Sequence, residues 1–98
     1  MEQQIGMVGL GRMGGNMARR MARAGLHVVA WDRAVGARTG VAGEERVRTV
    51  ETLADLVAAL PAPRVVWLML PAGAPTEEAL AELRGLLAAG DVVVDGAN

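Results

Sequence analysis

A glycine-rich turn near the start of the chain constrains the fold more than any other feature of the sequence. The segment Gly9-Leu10-Gly11-Arg12-Met13-Gly14 has the spacing G-x-G-x-x-G and stands between an apolar stretch and a segment with helical character. The pattern predicts a strand over 4–8 and a helix over 12–24, ended by Gly25. A strand, a glycine turn and a helix N-terminus in this order are typical of the pyrophosphate site in dinucleotide-binding domains.

Each glycine of this turn has a predicted task. Gly9 lets the chain turn sharply out of the strand, and Gly14 lets the helix pack closely on it. Gly11 lets a phosphate approach the backbone, while the positive end of the helix dipole and its free N–H groups face that phosphate. Met13 lies inside the turn and could also touch a cofactor. The motif alone is weak evidence, because the same glycines can serve only a tight turn and close packing.

The rest of the chain alternates between strand patterns and helix patterns. Apolar runs predict four further strands, over 27–31, 46–49, 64–70 and 91–95. Such alternation implies right-handed crossovers and a parallel sheet. We therefore predict one α/β domain of the Rossmann type over residues 1–98, with helices on both faces of a sheet of strand order 3-2-1-4-5. The ligand site of such a sheet lies at the carboxyl ends of its strands.

Three more helical segments are considered between these strands. Leucines on one face predict a helix from about Thr49 to Leu60, with Thr49 as its N-cap. Another helix is predicted to follow Pro75 and to end at Gly90. The segment 34–43 contains three glycines, each of which lowers helix propensity by about 1 kcal/mol relative to alanine. Either a frayed helix or a loop is expected there.

Composition limits the chemistry that these elements can support. All ten basic residues are arginines, which excludes lysine-dependent chemistry within these residues. The absence of cysteine excludes disulfides and thiolate metal sites, and the single histidine, His27, leaves little for a histidine-based site. A net charge of −1 provides no basic field for nucleic acid, and apolar runs of about six residues are too short to cross a membrane. A cytoplasmic protein without nucleic-acid or membrane partners is expected.

An acidic residue at the end of the second predicted strand bears on the choice of dinucleotide. Asp32 follows Gly11 by 21 residues, an offset at which a carboxylate can accept hydrogen bonds from the adenosine ribose and repel the 2′-phosphate of NADP. Arg33 could stack on adenine, pair with a 2′-phosphate or be solvated. We predict that the cofactor is NAD, with NADP as the alternative.

Three segments resemble the β-hydroxyacid dehydrogenase superfamily over nearly the whole chain. Residues 5–14, with the helix that follows, are similar to its N-terminal signature. Trp67-Leu68-Met69-Leu70-Pro71-Ala72-Gly73 and Asp95-Gly96-Ala97-Asn98 resemble the short bacterial branch of the 6-phosphogluconate dehydrogenases. The 3-hydroxyisobutyrate dehydrogenase branch usually carries Ser-Thr near the last of these segments instead of Asn.

The resemblance implies a set of cofactor contacts. The implied contacts are Gly9, Leu10, Gly11, Arg12, Met13 and Gly14 in the turn, Asp32 and Arg33 at the adenosine, Leu70, Pro71 and Ala72 against the ribose, and Asn98. In the family this Asn lies beside the nicotinamide and the substrate, so Asn98 would also bind substrate. Ala97 stands where the family has a second glycine. Taken by itself, Asn98 is better explained as a turn residue.

The resemblance also implies groups that this chain lacks. In the family a Ser-Gly-Gly segment, a catalytic lysine and a helical domain come later, and they support hydride transfer followed by decarboxylation. We expect residues 1–98 to be the N-terminal cofactor-binding part of a longer homo-oligomeric enzyme, inactive alone and without catalytic residues of its own. A sugar-phosphate acid would bind only with the C-terminal domain. The alternatives are another β-hydroxyacid dehydrogenase of the 3-hydroxyisobutyrate type, or a non-enzymatic stand-alone NAD(H)-binding module.

Overall fold

Strands and helices alternate through residues 3–96, the part of the chain that the computed structural model describes. The strands are β1 (Gln4–Val8), β2 (His27–Trp31), β3 (Val47–Thr49), β4 (Val65–Leu68) and β5 (Val92–Asp95). The helices are α1 (Arg12–Arg23), α2 (Val35–Ala42), α3 (Leu53–Ala59) and α4 (Ala74–Arg84). Within these residues the five strands form one parallel sheet of order β3-β2-β1-β4-β5. The predicted Rossmann-type α/β fold and strand order are confirmed.

The central strand β1 contributes to two hydrophobic clusters, one on each face of the sheet. Successive side chains of a strand point to opposite faces, and the neighbours Met7 and Val8, both fully buried, belong to different clusters. Met7 packs in the cluster that α1 and α2 cover, whereas Val8 packs with Leu56 of α3 and Leu83 of α4. Helices therefore cover both faces of β1, which explains why this strand is almost entirely apolar.

The first residue of α3 differs from the predicted one. Thr49 was predicted as the N-cap, but it ends β3, where it pairs with Ala30 of β2. The ladder continues through the N–H of Val50, which donates to the carbonyl of Ala30 at 3.0 Å and keeps this segment extended. The N-cap is Thr52, whose hydroxyl oxygen accepts the N–H of Asp55 at 3.0 Å. The prediction was wrong because sheet pairing holds the earlier threonine.

The end of α4 was also predicted wrongly. The helix ends at Arg84 with Gly85 as its C-cap, and not at Gly90. Leu86 and Leu87 still pack against the core, but from the turn that follows the helix. Gly90, with φ +94°, lies in the turn before β5. A leucine spacing that suits one helical face thus continued beyond the helix itself.

The glycine-containing segment 34–43 forms a helix, α2, rather than a loop. Val41 is buried in the cluster under α1 and α2, and the guanidinium of Arg38 donates to the carbonyl oxygen of Asp32 at 2.9 Å. These tertiary contacts stabilise a helix whose intrinsic propensity is low. None of the helices in residues 3–96 has the length and apolar character needed to cross a bilayer.

Candidate functional site

A cleft of about 470 Å³ opens at the carboxyl edge of the sheet, between the turn after β1 and the turn after β4. It is lined by Gly9, Gly11, Arg12, Met13, Gly14, Asp32, Met69, Leu70, Pro71 and Gly96. The chain leaves β1 toward β2 on one side, and leaves β4 toward β5 on the other. This is the topological switch point of the sheet, where open α/β sheets bind their ligands.

Packing requires two of the three motif glycines in the β1–α1 turn. Gly9 has φ +99°, and a Cβ at this position would lie 2.6 Å from the carbonyl oxygen of Met69. A Cβ at Gly14 would overlap the carbonyl oxygen of Gly9. Close approach of backbone to backbone therefore accounts for Gly9 and Gly14 without any reference to a ligand.

Gly11 differs from the other two glycines. It is the N-cap of α1 with φ −64°, a conformation open to any residue, and a Cβ there would meet no atom within 4 Å. Neither strain nor packing explains a glycine at this position. Gly11 lines the cleft at the N-terminus of α1, where no side chain caps the helix and the first N–H groups lack intrahelical acceptors. The lack of a side chain at Gly11 leaves a space open next to helix N–H groups that can bind an anion.

Asp32, the residue directly after β2, is half-buried at the rim of the cleft. Its Oδ2 accepts the N–H of Leu10 at 2.7 Å, and its Oδ1 accepts the N–H of Ala34 at 2.8 Å. The side chain of Leu10 is buried in the core, so this residue reaches the site only through its backbone. Arg33 is exposed and does not line the cleft. The structure thus brings Asp32, but not Arg33, to the glycine turn.

The turn after β4 forms the opposite wall of the cleft. Leu70 and Pro71 line it, whereas Ala72 is exposed and lies outside the lining. The hydroxyl of Thr76, which is buried in the first turn of α4, donates to the carbonyl oxygen of Pro71 at 2.8 Å. Gly73 provides the φ of +95° from which α4 begins. One buried hydroxyl thus ties this wall to the helix.

Two lining residues, Met69 and Gly96, were not among the sequence predictions. The sulfur of Met69 accepts the indole N–H of Trp67 at 3.2 Å. A Cβ at Gly96 would lie 2.6 Å from that indole nitrogen and 2.7 Å from the sulfur. Gly96 directly follows the predicted end of the last strand, and this position was the signal that could have identified it. Met69 directly follows β4 in the structure, whereas the predicted strand over 64–70 had placed it inside a strand. Asn98, predicted beside the nicotinamide and substrate, and Ala97 lie outside the described residues.

Carboxyl groups with a lowered pKa lie away from the cleft. The pKa of Glu44 is lowered by its hydrogen bond from Arg23, at 2.7 Å. The pKa of Asp91 is lowered chiefly by hydrogen bonds from the backbone N–H groups of Ala88 and Arg64. Among residues 3–96 no His, Asp and Glu side chains gather in a group that could hold a metal ion.

The cleft presents one carboxylate, one guanidinium, helix N–H groups and apolar side chains. N–H groups and a guanidinium suit an anion, and a carboxylate suits hydroxyl donors. Together with the parallel sheet, these features define a dinucleotide-binding domain of the Rossmann type. The family model that describes the NAD binding domain of 6-phosphogluconate dehydrogenase matches residues 4–98. The chain belongs to this family.

Known relatives extend well beyond the part that this chain matches. The chain is 40% identical over 95 residues to the NAD(+)-dependent, decarboxylating 6-phosphogluconate dehydrogenase of Haloferax volcanii, and the match covers 97% of this chain and 31% of that protein. Solved structures with the same fold include the 6-phosphogluconate dehydrogenase of Plasmodium falciparum, with a TM-score of 0.88 and 24% identity over 96% of this chain and 21% of that one. The 3-hydroxyisobutyrate dehydrogenase of Mycobacterium tuberculosis has a TM-score of 0.87 and 27% identity over 99% of this chain and 32% of that one. The chain therefore spans less than a third of each of these proteins.

Proposed function

We propose that this domain binds NAD as the cofactor-binding part of a longer, decarboxylating 6-phosphogluconate dehydrogenase. Gly11 is the observation that carries the proposal. This residue lines the cleft, and a Cβ added to it would meet no atom within 4 Å. It lies beside N–H groups that have no acceptor within α1. A pyrophosphate would fill that space and accept those N–H groups. The donor set and the open volume both fit this ligand.

Each side of the cleft has a proposed partner on the dinucleotide. The N-terminus of α1 and the guanidinium of Arg12 would bind the pyrophosphate, and the carboxylate of Asp32 would accept the adenosine ribose hydroxyls. Leu70 and Pro71 would pack against the riboses, and Met13, in the first turn of α1, would also touch the cofactor. The family resemblance supports a position for Asn98 beside the nicotinamide and the substrate. It also supports Leu10, Arg33 and Ala72 as further cofactor contacts. When bound, the nicotinamide accepts the hydride in the family reaction.

The preference for NAD over NADP rests on Asp32. A 2′-phosphate placed near its carboxylate would meet a like charge, whereas the ribose hydroxyls would donate to it. The Haloferax volcanii relative is named as NAD(+)-dependent, which supports this choice. The Plasmodium falciparum neighbour was solved with NADP+, so shared fold does not determine the cofactor.

The catalytic reaction is proposed for the longer protein and not for this domain alone. The sequence contains no lysine, and the cleft offers no histidine among its described lining residues. We propose that the part of the longer protein beyond this domain provides most substrate contacts, the catalytic lysine and the oligomer contacts. A 3-hydroxyisobutyrate-type reaction is the second candidate, favoured by the likeness to the Mycobacterium tuberculosis enzyme. Reduction of NAD+ with 6-phosphogluconate or with 3-hydroxyisobutyrate by the longer protein would distinguish the two.

Titration of the domain with NADH and NADPH tests the cofactor site. We expect NADH to bind more tightly than NADPH, and Gly11→Ala to weaken NADH binding by about tenfold or more, the equivalent of one charge-assisted hydrogen bond. Because φ at Gly11 suits alanine, this variant should lose only about 0.5–1 kcal/mol of folding free energy as a poorer N-cap. The matched control is Gly36→Ala, an exposed glycine of α2 with equally open surroundings.

Two outcomes would contradict this assignment. Unchanged NADH affinity in Gly11→Ala would show that no phosphate occupies the space beside the helix N-terminus. Equal or tighter binding of NADPH by the unmodified domain would show that Asp32 does not select against the 2′-phosphate.

A further inference from the structure

The carboxylate of Asp32 is bound to backbone on both of its oxygens. Oδ2 accepts the N–H of Leu10 at 2.7 Å, within the glycine turn, and Oδ1 accepts the N–H of Ala34 at 2.8 Å, at the start of α2. The carbonyl oxygen of the same residue accepts the guanidinium of Arg38 at 2.9 Å. Asp32 thus joins the end of β2, the β1–α1 turn and α2 through a single residue.

These bonds determine which N–H groups of the turn face the cleft. The N–H of Gly9 donates to the carbonyl oxygen of Trp31 at 2.9 Å, and the N–H of Leu10 donates to Asp32. The first two residues of the turn are therefore tied to the end of β2 before the chain reaches Gly11. Leu10 as a whole residue is only 6% exposed, so its N–H has little access to water as an alternative acceptor.

We propose that Asp32 is a positioning residue for the glycine turn, in addition to its proposed contact with the ribose. By holding the N–H of Leu10, it fixes the backbone of Gly11 where a phosphate would approach. Loss of the carboxylate would leave a poorly hydrated N–H without its acceptor, and the turn would rearrange to satisfy it. Asp32 would then affect the affinity for the pyrophosphate, although it does not touch that group. The ribose contact and the effect on pyrophosphate affinity rest on the proposed function, but the hydrogen bond by which Asp32 holds the turn does not.

A cofactor analogue separates the two roles. NAD+ whose adenosine ribose lacks both the 2′ and 3′ hydroxyls offers nothing to a ribose-binding carboxylate. If Asp32 acted only on the ribose, Asp32→Ala would leave the affinity for this analogue unchanged. If Asp32 positions the turn, we expect Asp32→Ala to weaken the binding of the analogue by about tenfold, through a turn no longer held by a hydrogen bond to a charged group. Asp55→Ala, which removes an exposed carboxylate of α3, is the matched control.

Amide hydrogen exchange tests the positioning role without any cofactor. In Asp32→Ala we expect the exchange of the Leu10 amide to be about tenfold faster or more, while buried amides of β1 keep their rates. Unchanged exchange at Leu10, or unchanged affinity for the analogue, would overturn the proposal. Failure of the unmodified domain to bind NAD+ would instead refute the proposed function, and the exchange experiment would still decide the positioning role.

A second variant guards against loss of folding in Asp32→Ala. Asp32→Asn keeps the shape of the side chain but has one oxygen for two N–H donors. The proposal predicts that the affinity for the analogue falls in this variant if the Leu10 amide exchanges faster, and is retained if that amide keeps its rate; a change in one without the other would overturn it.

Discussion

The two turns that form the walls of the cleft are held in different ways. In the turn after β1, Gly9 lies against the carbonyl of Met69, and Gly14 lies against the carbonyl of Gly9. In the turn after β4, the hydroxyl of Thr76 holds the carbonyl of Pro71, and no backbone presses on the glycine before α4. Close approach of the main chain restricts the first turn, to which the carboxylate of Asp32 adds a hydrogen bond at Leu10, whereas in the second turn the hydrogen bond of Thr76 takes the place of such an approach.

Side-chain hydrogen bonds also hold the segments that precede β4 and β5. On the β4–β5 side, the carboxylate of Asp91 accepts the N–H of Arg64 at 2.6 Å and the N–H of Ala88 at 2.8 Å, and pairs with the guanidinium of Arg64 at 3.2 Å. A wall built from backbone contacts tolerates few residue types, so its sequence carries a visible motif. A wall held by individual side chains tolerates more substitutions, each with a moderate effect on stability.

The largest expected effect is a loss of stability on substitution of Gly14, because the close backbone packing of the first turn leaves no room for a methyl group. Gly14→Ala should lower the free energy of unfolding by about 3 kcal/mol or more, because the new Cβ meets a backbone carbonyl and not a flexible side chain. Urea denaturation followed by circular dichroism measures this change. Gly36→Ala should instead stabilise the domain by about 0.5–1 kcal/mol. A Gly14→Ala variant as stable as the unmodified domain would show that the turn after β1 can relax.

A smaller effect is expected when the carboxyl of Asp91 is protonated. Hydrogen bonds from Ala88 and Arg64 lower its pKa in the folded state, so its contribution to stability is present above the ordinary aspartate pKa of about 4. That contribution is lost as the pH falls through the lowered folded-state pKa. Urea unfolding from pH 7 downward should show a loss of stability below about pH 5. Asp91→Asn should be less stable at pH 7 and lose less over the same range.

The pH experiment has a built-in reference. Glu44 also has a lowered pKa, because of its hydrogen bond from Arg23, and this group is intact in both proteins. Some acid destabilisation should therefore remain in Asp91→Asn. Parallel stability curves for the two proteins would contradict the role assigned to Asp91.

The smallest expected effect concerns the hydroxyl of Thr76. Thr76→Val keeps the shape of the side chain but removes the hydrogen bond to Pro71, which should lower the free energy of unfolding by about 1 kcal/mol. Because Pro71 lines the cleft, NADH affinity should fall slightly as well. Thr76→Ser retains the hydroxyl and should retain the affinity despite its smaller side chain. Equal NADH affinity in all three proteins would show that this bond serves stability alone.

Much of the fold could be predicted from sequence because its determinants are local or topological. The bounds of β1 and β2 were predicted correctly, since a glycine turn follows one strand and Asp32 follows the other. The choice between Thr49 and Thr52 as N-cap could not be made locally, because either threonine can cap a helix. Pairing of Thr49 with Ala30 of another strand decided it.

The candidate site could likewise be predicted only where its determinants are local in sequence. The spacing of Gly9, Gly11 and Gly14 predicted the turn, and the structure separates the two glycines required by packing from the one that packing leaves unexplained. The double hydrogen bond of Asp32 could not be predicted, because it joins two segments that meet only in the folded sheet. Met69 was missed for the same reason, since its place in the lining follows from its hydrogen bond to Val8 of β1 and its position against Gly14 of α1.

The two indoles of the domain allow ligand binding to be followed by intrinsic fluorescence. Trp31 and Trp67 are the whole aromatic complement of the chain, which has no tyrosine or phenylalanine. The indole N–H of Trp31 donates to the carbonyl oxygen of Glu51 at 3.0 Å, whereas the indole N–H of Trp67 donates to Met69 in the wall of the cleft. Intrinsic fluorescence therefore arises from two indoles only, and that of Trp67 contacts a residue of the cleft wall. A change in emission upon addition of a nucleotide would report events at this edge of the sheet, without any attached label.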